Sequence, residues 1–258
     1  MPSAPKSSAG SLLARIGERM LERASWSMRT KTIRLTSERP FVSFSFDDFP
    51  KSAVSNGARI LERYGFRGTF YAAGSLMGSS HDGISYFQRE DLQALVACGH
   101  EVGCHTFSHV AVSSLNKAML EGEINENAVF IGKQLPGYVL QSFSYPFGRV
   151  SPLGKLRLQR RFASCRGIQP GINAKVADMG LLRATSIYGE TIHPRVGALL
   201  AEARRTRGWL VFYTHDVEAT PSRFGCTPAL FEQVVRMVAE DGLEVRTMQQ
   251  GVDAIRTR

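Results

Sequence analysis

The stretch that decides the fold is Phe41-Val42-Ser43-Phe44-Ser45-Phe46-Asp47-Asp48, an alternating apolar run that ends in two adjacent carboxylates. Apolar residues at every second position predict a buried β-strand. Side chains at the carboxyl end of such a strand project from the rim of a sheet or barrel, where active sites form. A simple turn is the alternative, because Asp favours turns and Pro50 follows closely.

A second polar cluster favours the functional site over the turn. It is His105-Thr106-Phe107-Ser108-His109, and it follows a strand-like segment, residues 100–104. Two imidazoles four residues apart face the same way if a helical turn begins there, so both can reach one metal ion. With a carboxylate as third ligand, positions stay open for water and substrate, as in catalytic metal sites. Two histidines without a metal are the alternative.

Strand-like and helix-like segments alternate along the rest of the chain, which predicts parallel βαβ units. A length of 258 residues suits one barrel-sized domain. We therefore predict an α/β fold, an irregular barrel of seven or eight β/α units with the site at the carboxyl ends of the strands. Further strands are expected over residues 68–72, 141–145, 181–188 and 208–213, and helices over 54–64, 90–98, 113–135, 193–205 and 227–239.

The net charge of +9 is concentrated near the N-terminus, because residues 1–39 contain eight basic and three acidic side chains. Apolar residues three and four apart predict a basic amphipathic helix from Ser11 to about Trp26. We therefore divide the chain into a basic arm, 1–39, and one domain, 40–258. The helix either packs across one end of the barrel or docks on an anionic membrane. Known nucleic-acid-binding motifs are absent from the sequence, which argues against a nucleic-acid partner.

The sequence predicts a cytoplasmic protein, with peripheral contact at the inner membrane as an option. Charges interrupt residues 11–18, the best candidate for a signal sequence. No stretch approaches the roughly 20 apolar residues that cross a bilayer. The four cysteines form no C-x-x-C pair and are expected to be reduced.

Four motifs resemble, in order, those of polysaccharide deacetylases with a NodB homology domain, carbohydrate esterase family 4. They are Ser45-Phe46-Asp47-Asp48, His105-Thr106-Phe107-Ser108-His109, Ser144-Tyr145-Pro146-Phe147-Gly148 and Tyr213-Thr214-His215. The resemblance covers roughly residues 40–248 and is greatest to bacterial exopolysaccharide or holdfast deacetylases. It implies a NodB-type barrel that removes acetyl groups from N-acetylhexosamine units of an exopolysaccharide or its lipid-linked precursor.

The residues themselves predict a metal-assisted hydrolase, and the resemblance implies the same roles. Asp48, His105 and His109 are expected to hold a divalent ion that lowers the pKa of a bound water. Asp47 is the expected general base, and His215 the expected general acid for an amine leaving group. The metal in this family is usually zinc, while some members prefer cobalt or another divalent ion.

The third motif carries further implications of the resemblance. The N–H at Tyr145 is expected to help form the oxyanion hole, and Tyr145, Pro146 and Phe147 to contact the substrate. Many members have an arginine where this chain has Ser144, and that arginine orients the base. We hypothesise that Arg183, on a neighbouring predicted strand, replaces it. The D-x-x-D-W motif that tunes the acid histidine is not evident, so the tuning of His215 stays open.

Two other functions remain compatible with these residues. The first is an amidase of a non-sugar substrate on the same fold. The second is an inactive scaffold in a polysaccharide-assembly complex, although a scaffold has no need of Asp47 and His215 beside the metal ligands.

Overall fold

The computed structural model describes residues 17, 20–35, 39–81, 83–188 and 192–256. Its strands are β1 (Thr32–Arg34), β2 (Phe41–Asp47), β3 (Thr69–Ala72), β4 (Ser80–His81), β5 (Ile84–Ser85), β6 (Glu101–Cys104), β7 (Ser142–Ser144), β8 (Ser164–Arg166), β9 (Ile172–Asn173), β10 (Val176–Asp178), β11 (Thr185–Ser186), β12 (Trp209–Thr214) and β13 (Glu244–Val245). Its helices are α1 (residues 20–27), α2 (Arg59–Arg63, preceded by a π-helical turn over Ala53–Ala58), α3 (Arg89–Ala97), α4 (Lys117–Gln134), α5 (Pro152–Arg161), α6 (His193–Thr206), α7 (Pro228–Glu240) and α8 (Met248–Arg256).

The main sheet is a curled set of parallel strands in the order β11, β12, β2, β3, β6, β7, β8. Its two edges approach one another through the segment that ends in β11. Leu182 forms a parallel bridge with Arg166 of β8, and Thr185 and Ser186 then pair with β12. All strand ends that carry predicted site residues therefore meet at one rim. The predicted α/β fold with an irregular barrel is confirmed.

β2 lies in the middle of the molecule, and all seven of its residues are buried. Phe44 and Phe46 face the helices and pack against Phe231 of α7. Parallel strands covered on both faces need such apolar runs, and each buried phenylalanine contributes roughly 1.5–3 kcal/mol. The strand that ends in Asp47 is consequently one of the most firmly packed parts of the fold.

The described part of the predicted arm packs against the domain. β1 pairs with β10, and the buried Lys155 donates hydrogen bonds to the carbonyls of Ser25 and Met28. Lys155 also pairs with Asp178, with 2.7 Å between Nζ and Oδ2. The predicted helix start at Ser11 lies outside the described residues. Among the described helices, none has the length and apolar character needed to cross a membrane.

Candidate metal centre

Three potential metal ligands converge at the carboxyl ends of β2 and β6. Asp48 follows β2 directly, His105 follows β6, and His109 lies in the loop beyond. The Asp48 Oδ1 atom is 3.3 Å from Nε2 of His105 and 3.0 Å from Nε2 of His109. One ligand atom from each residue lies within 4.8 Å of the others.

The histidine loop achieves this geometry without the helical turn that the spacing suggested. Residues 105–110 form an irregular loop in which Thr106 and His109 have φ angles of 60° and 51°. Asp48 also lies in the left-handed region, with φ of 57°. Each such residue costs about 1–3 kcal/mol, and such strain is concentrated at functional sites. Both imidazoles therefore reach one point without a helical turn.

The hydrogen bonding of these residues fits a cation between them. The His105 Nδ1–H donates to the carbonyl of Ser144 at 2.8 Å, so the Nε2 of that ring presents a lone pair. This lone pair faces Asp48 Oδ1, a buried acceptor without a hydrogen-bond donor in the described part of the chain. Two facing acceptors repel one another unless a cation lies between them.

Protonation of the ligands also favours a cation. Burial lowers the pKa of His109 to about 4, so its imidazole is neutral near pH 7. Burial opposes ionisation of Asp48, but the neighbouring His105 and His109 outweigh it and lower the pKa of that carboxyl. Burial would lower the pKa of His105, but Asp48 and Asp47 outweigh it and raise that pKa, so a divalent ion would take the place of a proton on this ring. Two imidazoles and one carboxylate can then hold the ion and leave positions for water and substrate.

Asp47 faces a different set of partners. Its Oδ1 accepts hydrogen bonds from the Ser144 hydroxyl at 3.2 Å and from the buried guanidinium of Arg166. The Arg166 Cζ atom lies 4.7 Å from the ring centroid of Tyr213 and 5.2 Å from that of Tyr71. Burial would raise the pKa of Asp47, but Arg166 outweighs it and lowers the pKa. The carboxylate is thus ionised, oriented and separate from the metal ligands.

His215 directly follows β12 and lies on the same rim as Asp47 and Asp48. Its Nε2 lies 4.0 Å from Asp48 Oδ2, the carboxylate oxygen remote from His105 and His109. The His215 Nδ1 atom is buried and has no hydrogen-bond partner among the described residues. The imidazole ring packs against Phe224, with 5.5 Å between ring centroids. An imidazole is therefore present on the second side of Asp48.

Comparison with protein families agrees with this arrangement. The family model described as polysaccharide deacetylase matches residues 34–159. Residues 34–159 are therefore similar to polysaccharide deacetylases.

Two curated proteins and several solved structures are similar to parts of this chain. A bifunctional xylanase/deacetylase of Pseudobutyrivibrio xylanivorans is 27% identical over 112 residues, which are 43% of this chain and 17% of that protein. A chitin deacetylase of Pestalotiopsis sp. is 30% identical over 84 residues, 33% of this chain and 26% of that protein. The chain thus spans about a quarter or less of these curated relatives. A family 4 acetyl xylan esterase from Clostridium thermocellum, solved with a cobalt ion, shares the fold with a TM-score of 0.56 at 20% identity, covering 81% of this chain and 88% of that one.

The third motif, residues 144–148, does not offer the N–H of Tyr145 as the oxyanion donor that the sequence predicted. The Tyr145 N–H donates to the Arg166 carbonyl at 3.0 Å as part of the sheet, so it is not available to an oxyanion. The Tyr145 side chain is fully buried, and its hydroxyl donates to the Gly180 carbonyl at 2.9 Å. Pro146 is buried as well, whereas the Phe147 side chain is 59% exposed beside His109. Of the three predicted substrate contacts, only Phe147 is accessible.

The arginine beside Asp47 is Arg166, which corrects the hypothesis about Arg183. The Arg183 side chain is exposed and donates to the Pro170 carbonyl at 3.1 Å. Arg166 pairs in register with Ser144 across β7 and β8, and the small serine leaves space for the guanidinium to reach Asp47. A signal for Arg166 existed in the sequence, because the βα alternation requires a strand after α5. That strand could have been predicted at residues 162–165, directly before Arg166 and Gly167.

Proposed function

We propose that the protein is a divalent-metal-dependent hydrolase that removes acetyl groups from N-acetylhexosamine units. The observation that carries this proposal is the grouping of Asp48, His105 and His109 between two further ionisable groups, Asp47 and His215. The relatives support a carbohydrate substrate, since one is named a chitin deacetylase and the other a bifunctional xylanase/deacetylase.

Each side chain at the site has a separate role in amide hydrolysis. A divalent ion on the three ligands would lower the pKa of a water molecule and polarise the acetyl carbonyl. Asp47, kept ionised by Arg166, takes the proton of the attacking water. His215, on the other side of Asp48, gives a proton to the nitrogen as the C–N bond breaks. The products are acetate and a free amine.

The oxyanion donor is assigned to the backbone N–H of Phe147. Pro146 has no N–H, and the N–H of Tyr145 is engaged in the sheet. The N–H groups of Gly148 and Arg149 close the turn on the carbonyls of Tyr145 and Pro146. The N–H of Phe147 is therefore the donor that this turn leaves for a developing negative charge, and one such donor contributes roughly 3 kcal/mol.

Zinc is the first choice for the ion and cobalt the second. Two imidazole nitrogens and one carboxylate oxygen suit both ions, and cobalt is named with the solved esterase of similar fold. For the natural substrate we propose an exopolysaccharide or its lipid-linked precursor. The basic residues among positions 1–39 would favour an anionic membrane that carries such a precursor.

Acetate release from acetylated oligosaccharides tests the function. Metal-stripped protein is assayed with and without added zinc or cobalt, beside Asp47→Asn. We expect metal-dependent release that Asp47→Asn reduces by about a hundredfold or more. Asp253→Asn, an exposed substitution on α8, is the matched control and should keep full activity. A metal-loaded protein that releases no acetate from any glycan would overturn the proposal in favour of a non-sugar amidase or a scaffold.

A further inference from the structure

We infer that one stripe of α4, made of Glu123, Asn127 and Phe130, holds the histidine loop, residues 105–110, in the shape that binds the metal. The three residues are four and then three positions apart, so they lie on one face of the helix. The inference rests on the proposed function, whose metal ligands this stripe would position. α4 itself carries none of those ligands.

Glu123 binds the middle of the histidine loop. Its Oε2 atom accepts the backbone N–H of Phe107 at 2.9 Å and that of Ser108 at 2.8 Å. Both N–H groups lie between the ligands His105 and His109, in an irregular segment where the backbone needs partners outside a helix or sheet. A carboxylate that accepts two N–H groups makes strong, directional hydrogen bonds. Glu123 therefore fixes the backbone between the two ligands.

Asn127 and Phe130 add two further contacts along the same stripe. The buried Asn127 reaches the end of β6, where its Nδ2 donates to Sγ of Cys104 at 3.2 Å. Cys104 directly precedes His105. The Phe130 ring packs edge-on against that of Phe107, with 5.6 Å between centroids. The stripe thus contacts the chain both before the first histidine ligand and between the two.

The histidine loop needs such contacts because its backbone is strained. Thr106 and His109 have φ angles of 60° and 51°, which β-branched and bulky residues rarely adopt. Such a conformation persists only where surrounding contacts enforce it. Without them the loop would relax, and His109 would leave the point at which it meets Asp48 and His105. Anchoring by α4 should therefore raise the metal affinity by keeping the ligands in place before the ion binds.

Zinc titration calorimetry on metal-stripped protein tests the inference. Glu123→Ala removes the acceptor of both N–H groups, so we expect a zinc affinity about ten- to a hundredfold lower than that of wild type. Glu123→Gln keeps an oxygen that can accept both N–H groups, and its affinity should fall by less than about fivefold. An unchanged affinity in Glu123→Ala, or a loss in Glu123→Gln as large as that in Glu123→Ala, would overturn the hydrogen-bonding role.

Two variants on other faces of α4 are the matched controls. Glu121→Ala removes an exposed carboxylate that pairs with Arg157 of α5 at 3.0 Å. Ile124→Val trims a buried side chain and lowers the stability of the protein. Both should keep the wild-type zinc affinity, which separates positioning of the loop from loss of helix charge or of stability. A loss in either control as large as that in Glu123→Ala would overturn the inference.

Amide hydrogen exchange distinguishes failure of this inference from failure of the proposed function. In the metal-free protein, peptides that cover residues 105–110 should exchange about tenfold faster in Glu123→Ala, because two N–H groups lose their acceptor. If wild type binds neither zinc nor cobalt, the proposed metal centre fails. Faster exchange in Glu123→Ala then still upholds the anchoring of the loop by α4, and unchanged exchange refutes it.

Discussion

Arg166 lies beside Asp47 because Ser144, its partner on the adjacent strand, is small. The guanidinium lowers the pKa of Asp47 against the effect of burial. We therefore predict that Arg166→Gln raises the pKa of Asp47, so the base is protonated at a higher pH. The acid limb of the kcat/KM profile should move to higher pH, and kcat/KM near neutrality should fall about ten- to a hundredfold.

Arg183→Gln separates this role from a general loss of positive charge. Its side chain is exposed and contacts the Pro170 carbonyl, so the pH profile should match that of wild type. A shifted profile in Arg183→Gln, or an unshifted one in Arg166→Gln, would show that Arg166 does not set the protonation of Asp47.

The two adjacent aspartates should differ in metal binding. Asp48→Asn removes the negative charge at the point where His105 and His109 converge, so we predict a zinc affinity at least about a hundredfold lower by titration calorimetry. Asp47→Asn should change the affinity by only a few-fold, because its Oδ1 faces Ser144 and Arg166. Similar losses in both variants would contradict the division into ligand and base.

Elements with a clear apolar pattern were predictable from the sequence, whereas several three-residue strands were not. β2 and β12 contain seven and six residues of clear apolar pattern, and the predicted helices lie within a few residues of those found. β1, β8 and β10 have three residues each, too few for a period to be visible. They exist because neighbouring strands satisfy their backbone groups. The metal ligands follow long strands or a clear motif, whereas Arg166 lies on a short strand and was missed.

A buried cation on α5 helps to connect the N-terminal residues to the domain. Lys155 pairs with Asp178 and donates to two carbonyls near α1. Lys155→Met leaves the Asp178 carboxylate buried without its ion-pair partner. We predict that the free energy of unfolding falls by about 3–5 kcal/mol, measured by urea denaturation.

Two further variants test that explanation. Arg160→Met removes an exposed charge from the same helix and should change stability by about 0.5 kcal/mol or less. Adding Asp178→Asn to Lys155→Met should recover part of the loss, because no buried charge then remains unpaired. A double variant less stable than Lys155→Met alone would assign the loss to packing rather than to the ion pair.

The stability of the whole molecule should decrease in mild acid, and His100 is one identifiable cause. His100 is buried, its Nδ1 accepts the Gly68 N–H at 2.9 Å, and its Nε2 lies 3.2 Å from Glu62 Oε1. Burial lowers the pKa of His100 below its ordinary 6.5, with a smaller contribution from Arg67, although Glu62 opposes the shift. The unfolded chain therefore binds a proton at His100 before the folded chain does.

It follows that the contribution of His100 is complete above about pH 6.5 and is lost as the pH falls toward its lower folded pKa. Urea denaturation at several pH values between 7 and 5 should give a weaker pH dependence in His100→Gln than in wild type. His81→Gln, at an exposed position of the β4–β5 hairpin, serves as control and should keep the wild-type dependence. Because other groups titrate in the same window, the difference between the two variants isolates His100. Identical slopes in both would mean that its proton is bound equally well in the folded and unfolded chains.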